Sequence, residues 1–428
     1  MLRTAGSFNV RALSHFPRLL RVTWGDGAES TYPSTWLRAS VRDSQFFDDN
    51  SCEYHPEHTA FISKGLSIIA AEHTGQGAEE NIRVQWEDHS TNFSVPWLRV
   101  QDAQNLKGLA DRHIVEEVLW TRENELPQYQ FSEKEECFES WMKDLRKWGV
   151  ICVHGCPPTE KGITDFLTMV APLWQRTYHP TNLAHIHATP KTAMVQLAYA
   201  VKILRMHTGY ADYNPPPKLM GLLCTELNAP KLDTKTSVVD AHKVLHDLKH
   251  EDPESFHVLC TTPLRRGRHR LDVEEDCDPS KVQMYQRSFI LEEPVVRMEG
   301  NNIYRIRMHR GKDIGLSLGP HDDEFMKKYY VAYGKLQALL NDPKYTQEFV
   351  LKPGMMLVVD NYRLCHGRSE IHPSTHRVLK TAYISEDGWC NRWRLMLGQK
   401  SGLDTKWLYG CSDEALTVLA QWKEDSYC

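Results

Sequence analysis

The sequence predicts a mainly β protein with helices, built as a small N-terminal β domain followed by a larger domain of β-sandwich or jelly-roll type. Two observations carry this. Two short strand-rich segments near the N-terminus echo each other, and beyond about residue 150 many short strand-like runs alternate with loops and only a few helices. A chain of 428 residues, 41% hydrophobic and 25% charged, is long enough for one large core or two smaller ones.

The echo comes first. Arg21-Val22-Thr23-Trp24-Gly25-Asp26 leads to Pro33 and Trp36-Leu37-Arg38, and Arg83-Val84-Gln85-Trp86-Glu87-Asp88 leads to Pro96 and Trp97-Leu98-Arg99. Each half alternates apolar residues on a short strand, turns, and continues into a second short strand. Two copies make a β module and not a solenoid, which needs about three. This module is assigned to residues 1–105. A polar connector containing Pro127 follows, then a second domain over 130–400 and a tail helix over 401–428.

The second domain opens with an amphipathic helix carrying Phe138, Trp141, Met142, Leu145 and Trp148, with Gly149 as its C-terminal cap. Val150–Val153 reads as a buried strand. Further strands are expected at Ser237–Asp240, Asn302–Arg307, Phe349–Leu351, Met355–Val359 and Val378–Ile384. A long helix is expected over Asp322–Leu340, apolar at Phe325, Tyr329, Tyr330, Ala332 and Tyr333.

Bulk properties exclude several classes. Net charge is -5 and basic residues are thinly spread, so no nucleic-acid surface is indicated. The densest basic run, Arg265 to Arg270, reads as a solvated loop beside the acidic stretch Asp272 to Asp278. Eleven cysteines form no Cys-x-x-Cys pair, which suits a reduced compartment better than a disulfide framework. No apolar run approaches the roughly 18 residues that span a bilayer. Arg3, Arg11, Arg18 and Arg21, with Ser7 and Ser14 and no acid before Asp26, fit a mitochondrial presequence. They fit equally a lead into the first strand, so the location reads as mitochondrial or cytoplasmic.

Two histidines stand in informative settings. His207 precedes a proline-rich turn, Pro215-Pro216-Pro217, and His366 ends a strand in Asp360-Asn361-Tyr362-Arg363-Leu364-Cys365-His366-Gly367-Arg368. Arg377 lies one strand further on. Non-haem iron oxygenation needs such parts. Fe(II) is held on one face by two imidazoles and a carboxylate, and a guanidinium forks onto the far carboxylate of 2-oxoglutarate. Taken alone each residue is a weak signal among 21 histidines, since a lone strand histidine is more often a surface or satisfied core residue.

The chain resembles the γ-butyrobetaine and trimethyllysine hydroxylases, iron/2-oxoglutarate dioxygenases of TauD/TfdA type, from about residue 20 to about residue 397. The resemblance rests on Tyr32-Pro33, Trp36-Leu37-Arg38, Trp86, Pro96-Trp97-Leu98, Gly149-Val150-Ile151, His207-Thr208, Pro216-Pro217, Val239-Asp240, Pro353-Gly354, Ala382-Tyr383 and, most specifically, Asp360-Asn361-x-Arg363-Leu364-x-His366-Gly367-Arg368. It implies a double-stranded β-helix (jelly-roll) catalytic domain behind the small N-terminal β domain. It also implies Fe(II), 2-oxoglutarate as co-substrate, ascorbate as accessory reductant, and hydroxylation of a small trimethylammonium or amino-acid-like substrate in carnitine biosynthesis. By position His207 and His366 are the implied iron ligands, Arg377 and Thr236 hold the co-substrate, and Tyr199, Tyr210 and Tyr383 face the substrate cation. No nucleic acid or membrane partner is implied. Members often pair, so a homodimer is an expectation.

The chain also departs from this pattern. Gly209 stands where the family has the metal-binding aspartate. Three alternatives follow: a pseudoenzyme or scaffold that keeps the fold, a halogenase-like site with chloride in the vacancy, or rescue by Asp212 or by water. The family's N-terminal zinc cluster is reduced to Cys52 and His89, with His55 and His58 nearby, and lacks a fourth ligand, so zinc is not expected. Asn182 replaces a cage aromatic, and Asp233-Thr234 replaces a Gly-Gly pair. These joint changes point to a divergent substrate or lost activity.

Overall fold

The two half-repeats fold alike, each as an antiparallel strand pair followed by a short helix. In the first, Leu19–Trp24 pairs with Glu29–Pro33 and leads into the helix Ser34–Ala39. In the second, Asn81–Gln85 pairs with Ser90–Ser94 and leads into Val95–Gln101. A third strand, Val10–Phe16 or Ala70–Thr74, completes each sheet. Strand alternation turns Leu20, Val22 and Trp24 from one half, and Ile82, Val84 and Trp86 from the other, into one core.

The repeated Trp-Leu-Arg triplets lie on the helices, and their arginines cross between the halves. Arg38 donates to Asp88 (2.9 Å) and sits 5.4 Å from the Trp86 ring centre, while Arg99 donates to Asp26 (2.7 Å) and sits 4.7 Å from that of Trp24. Trp36 stacks on Trp97 at 5.6 Å. Each half thus supplies the arginine that neutralises the other half's turn aspartate, which accounts for the repetition of both motifs together.

The computed structural model describes residues 10–48, 51, 53–75, 80–101, 116–131, 138–174, 184–187, 201–228, 234–272, 285–317, 322–372 and 374–400. The chain divides into two compact units, Met1–Ile114 with Arg394–Cys428, and Val115–Trp393. The tail helix expected over 401–428 lies outside the described residues. Among the described residues no helix is long and apolar enough to cross a membrane.

In the second unit the helix Phe138–Trp148 buries Phe138, Trp141, Met142 and Leu145, and Gly149 ends it at φ +73°. Two sheets follow. The larger has the order Ala184–His187, His376–Ile384, Leu219–Asn228, Met356–Asp360, Val150–His154, Gln128–Gln130; the smaller has Leu204–His207, Leu364–Arg368, Thr236–Asp240, Thr346–Phe349. Met220, Leu222, Leu357, Val359 and Leu379 from the larger sheet and Val238 and Leu364 from the smaller pack into one core. The opposite face of the smaller sheet, with Met206, Val239 and Cys365, is covered by the helices Ala241–Glu251, Pro253–Thr261 and Asp323–Leu340. This is the jelly-roll arrangement the sequence predicts.

Three local expectations need correction. The basic run is no solvated loop but part of the strand Leu264–Asp272, where Arg266 is fully buried against Asp313 at 3.3 Å. The strand expected at Phe349–Leu351 lies at Thr346–Phe349, ahead of Pro353. The long helix, capped by Asp322 accepting the Phe325 N–H, buries Tyr329, Ala332, Tyr333, Leu336 and Leu340 and leaves Tyr330 exposed.

One buried ion pair ties the unit together. Arg363 Nε and Nη2 donate to Asp240 Oδ1 (3.1 Å) and Oδ2 (2.6 Å), and Arg363 also donates to the Lys147 and Val118 carbonyls. Asp240 caps the helix Ala241–Glu251 by accepting the His242 and Lys243 N–H groups. Truncation would strand a buried carboxylate. Arg363→Ala is therefore expected to cost about 3–5 kcal/mol, read as a lowered midpoint in urea unfolding.

Candidate functional site

Alternation along the smaller sheet places the site. Leu364 and Val238 face the inter-sheet core while Cys365, Val239 and Met206 face the helices. His366, Thr236 and His207 therefore share the inner face. Their strands are neighbours: His207 lies opposite His366, Val238 opposite His366, and Thr236 opposite Arg368. Gly367 permits the approach, since a Cβ there would meet the Leu204 carbonyl at 2.8 Å.

The His207 and His366 ring centres are 4.2 Å apart, inclined at 48°. His207 Nδ1 donates to the Arg205 carbonyl (2.9 Å), so the lone pair of the neutral ring resides on Nε2. Burial, aided by the charges of Lys312 and Arg368, pushes the His207 imidazolium down to about 4. His366 is shifted well down by burial and by His207, and its Nδ1 is buried with no hydrogen-bond partner among the described residues. Two neutral imidazoles, one with an orphaned nitrogen, are a donor set that fits a divalent metal. Among the described residues no third His, Cys, Asp or Glu completes such a group with them.

Arg377 approaches from the other sheet, on the same face of its strand as Leu379 and Tyr383. It is 3% exposed, donates to the Thr236 hydroxyl, and has no carboxylate partner among the described residues. Burial pushes it down to about 10; Arg368, buried beside it, is likewise pushed to about 10 by burial and by Arg377. The Arg377 guanidinium, buried beside a second positive charge, suits an anion, and a carboxylate matches its fork.

Gly209 stands in the turn after His207. Asn361 grips it from both sides, accepting its N–H (2.7 Å) and donating to its carbonyl (2.9 Å), and donates again to Pro217 (2.9 Å). The Asp212 carboxylate takes the ammonium of Lys312, and both are buried. That pairing argues against Asp212 as a substitute ligand. Arg307 holds the same turn through the Ala211 and Tyr213 carbonyls and Asn214. Tyr210, at φ +52°, points into an aromatic group with Trp174 (5.2 Å), Tyr213 (5.1 Å) and Tyr383 (5.0 Å).

Tyr199, Asn182 and Cys52 lie outside the described residues. In the first unit His89 donates to Asp43 (2.6 Å) and packs edge-on against Phe46 and Phe61, while His58 bonds the Arg38 carbonyl (3.2 Å). The sequence reading missed Asn361, Arg368, Lys312, Arg307, Trp174 and Tyr213 as site residues. Asn361 and Arg368 stood inside the quoted motif, but Lys312 carried no signal, because long-range pairings such as that of Met308 with Thr208 bring its segment to the site.

Residues 106–383 match the model of the taurine catabolism dioxygenase TauD, TfdA family. The chain belongs to that family. Residues 12–99 match the gamma-butyrobetaine hydroxylase-like N-terminal domain. Among curated relatives, gamma-butyrobetaine dioxygenase of Homo sapiens is 23% identical over 397 residues, covering 88% of this chain and 94% of the relative. Trimethyllysine dioxygenase of Meyerozyma guilliermondii is 24% identical over 416 residues, covering 90% and 95%. Among solved structures, the non-heme iron oxygenase OrfP with Fe, succinate and (3S)-hydroxy-L-Arg is 17% identical, covers 59% of this chain and 82% of its own, and has a TM-score of 0.43. An asparagine oxygenase with Fe(II), 3-hydroxyasparagine and succinate is 18% identical over 58% and 77%, at 0.41.

Proposed function

We propose that the chain is an Fe(II)/2-oxoglutarate-dependent oxygenase of the γ-butyrobetaine hydroxylase type with a divergent small-molecule substrate. The observation that carries this is Arg377, a buried guanidinium without an anionic partner among the described residues, facing the same inter-sheet space as two neutral histidines. His207 and His366 would hold the metal and Arg377, with the Thr236 hydroxyl, the distal carboxylate of 2-oxoglutarate. Fe(II), when bound, supplies O₂ activation coupled to oxidative decarboxylation of 2-oxoglutarate and oxidation of a substrate C–H bond.

The chain's own residues do the positioning. The Arg205 carbonyl fixes the His207 tautomer, Asn361 fixes the Gly209 turn, and Arg368 adds positive charge beside Arg377. Tyr210 and Tyr383 line the substrate side. Gly209 leaves the third ligand place to water, chloride or the substrate itself. The bovine trimethyllysine dioxygenase, 23% identical, is named as mitochondrial, which supports that location alongside the arginine-rich N-terminus.

The test is aerobic turnover of 2-oxoglutarate with added Fe(II), followed as succinate. Wild type is expected to form succinate slowly without added substrate, and His366→Ala to lose at least about 90% of that rate, since one imidazole cannot hold the metal in place. Equal rates in both proteins would remove His366 from the metal site.

A further inference from the structure

An aromatic face flanked by a carboxylate is a seat for an alkylammonium, because ring and carboxylate attract the same positive charge. The turn after His207 builds such a seat. Tyr210 and Trp174 stand 5.2 Å apart, each lies within 5.0–6.2 Å of Tyr213 and Tyr383, and Asp212 lies on the same turn. The seat is already taken. Lys312 is 7% exposed, its ammonium is paired with Asp212, and its Nζ lies 5.5 Å from the Tyr210 ring centre.

We infer that Lys312 is a specificity-determining residue: its own ammonium occupies the cation place on Tyr210, so the site takes a substrate whose group there is neutral or anionic. A second cation would have to displace a buried ion pair or sit beside a like charge, and either cost exceeds what a ring face returns. The pair is locked from both ends. Arg307 fixes the turn that carries Asp212, and Lys312 follows a segment joined to that turn by the Thr208 N–H bond to the Met308 carbonyl (2.7 Å). The inference rests on the reading of the His207/His366 site as the oxygenase centre for its meaning as substrate choice.

Its test needs neither metal nor 2-oxoglutarate, so it is separable from the failure of that reading. The metal-free full-length chain is titrated with tetramethylammonium sulfate and binding is followed by ligand-observed NMR. Lys312→Met is expected to bind the probe about tenfold more tightly than wild type, or better. Lys312→Arg, which keeps the charge, is expected to behave as wild type. Should Lys312→Met unfold, Lys312→Met combined with Asp212→Asn removes both charges together and is expected to bind where wild type does not. Equal binding by wild type and the folded Met-containing variant, whether both bind or neither does, overturns the proposal.

Discussion

Gly209→Asp is expected to tighten Fe(II) binding roughly 100-fold or more. Loss of an indirect partner of a metal ligand already costs about 10- to 100-fold in affinity, and on the proposed reading an aspartate here adds a charged direct ligand. The turn can take the side chain. Gly209 does not use a left-handed backbone, and a Cβ there meets Asn361 Oδ1 at 3.3 Å and Tyr383 Cε1 at 3.5 Å. Those are side-chain atoms, so a shift of a few tenths of an ångström suffices, at a cost of order 1 kcal/mol. Anaerobic calorimetric titration with Fe(II) reads the change. Unchanged affinity would mean that the turn does not face the metal place.

Arg377→Met is expected to move two quantities in opposite directions. Binding of 2-oxoglutarate should weaken by about 3 kcal/mol, or more than 100-fold, because a buried charge pair with the co-substrate is lost. The ligand-free protein should become more stable, because Arg377 is a buried cation without an anionic partner among the described residues and lies beside Arg368. A residue placed for packing would show the reverse pair of results: lower stability and unchanged binding. Calorimetry with 2-oxoglutarate and thermal unfolding of the same samples separate the two.

The fold was legible where period and punctuation agreed. Leu20, Val22 and Trp24 alternate, and so do Ile82, Val84 and Trp86, which is why both halves of the first unit could be read without a structure. Phe138, Trp141, Met142 and Leu145 showed their helix face equally plainly. Misreadings came where distant partners override local character. Arg266 lies in a basic run that looks solvated, yet Asp313, far along the chain, buries it. Tyr330 looked like core by residue type, but the helix turns it outward.

The site was legible in part for the same reason. His207, His366, Thr236 and Arg377 could be proposed from their spacing and from motif residues near them, such as His366-Gly367-Arg368 and Val239-Asp240. What those neighbours do was not legible. Asn361 needs its two bonds to Gly209 to be understood, and Lys312 needs Asp212 and Tyr210 beside it. Such roles depend on loop closure across the whole chain and leave no periodic trace.

A two-histidine iron site with Arg377 receiving 2-oxoglutarate is tested by anaerobic titration of wild-type protein with Fe(II) in the presence of 2-oxoglutarate. The reading is the visible metal-to-ligand charge-transfer band. Wild type is expected to show a band that is lost in His366→Ala, strengthened in Gly209→Asp, and altered by chloride if that anion fills the place beside Gly209. No band in either wild type or Gly209→Asp would contradict the metal assignment altogether.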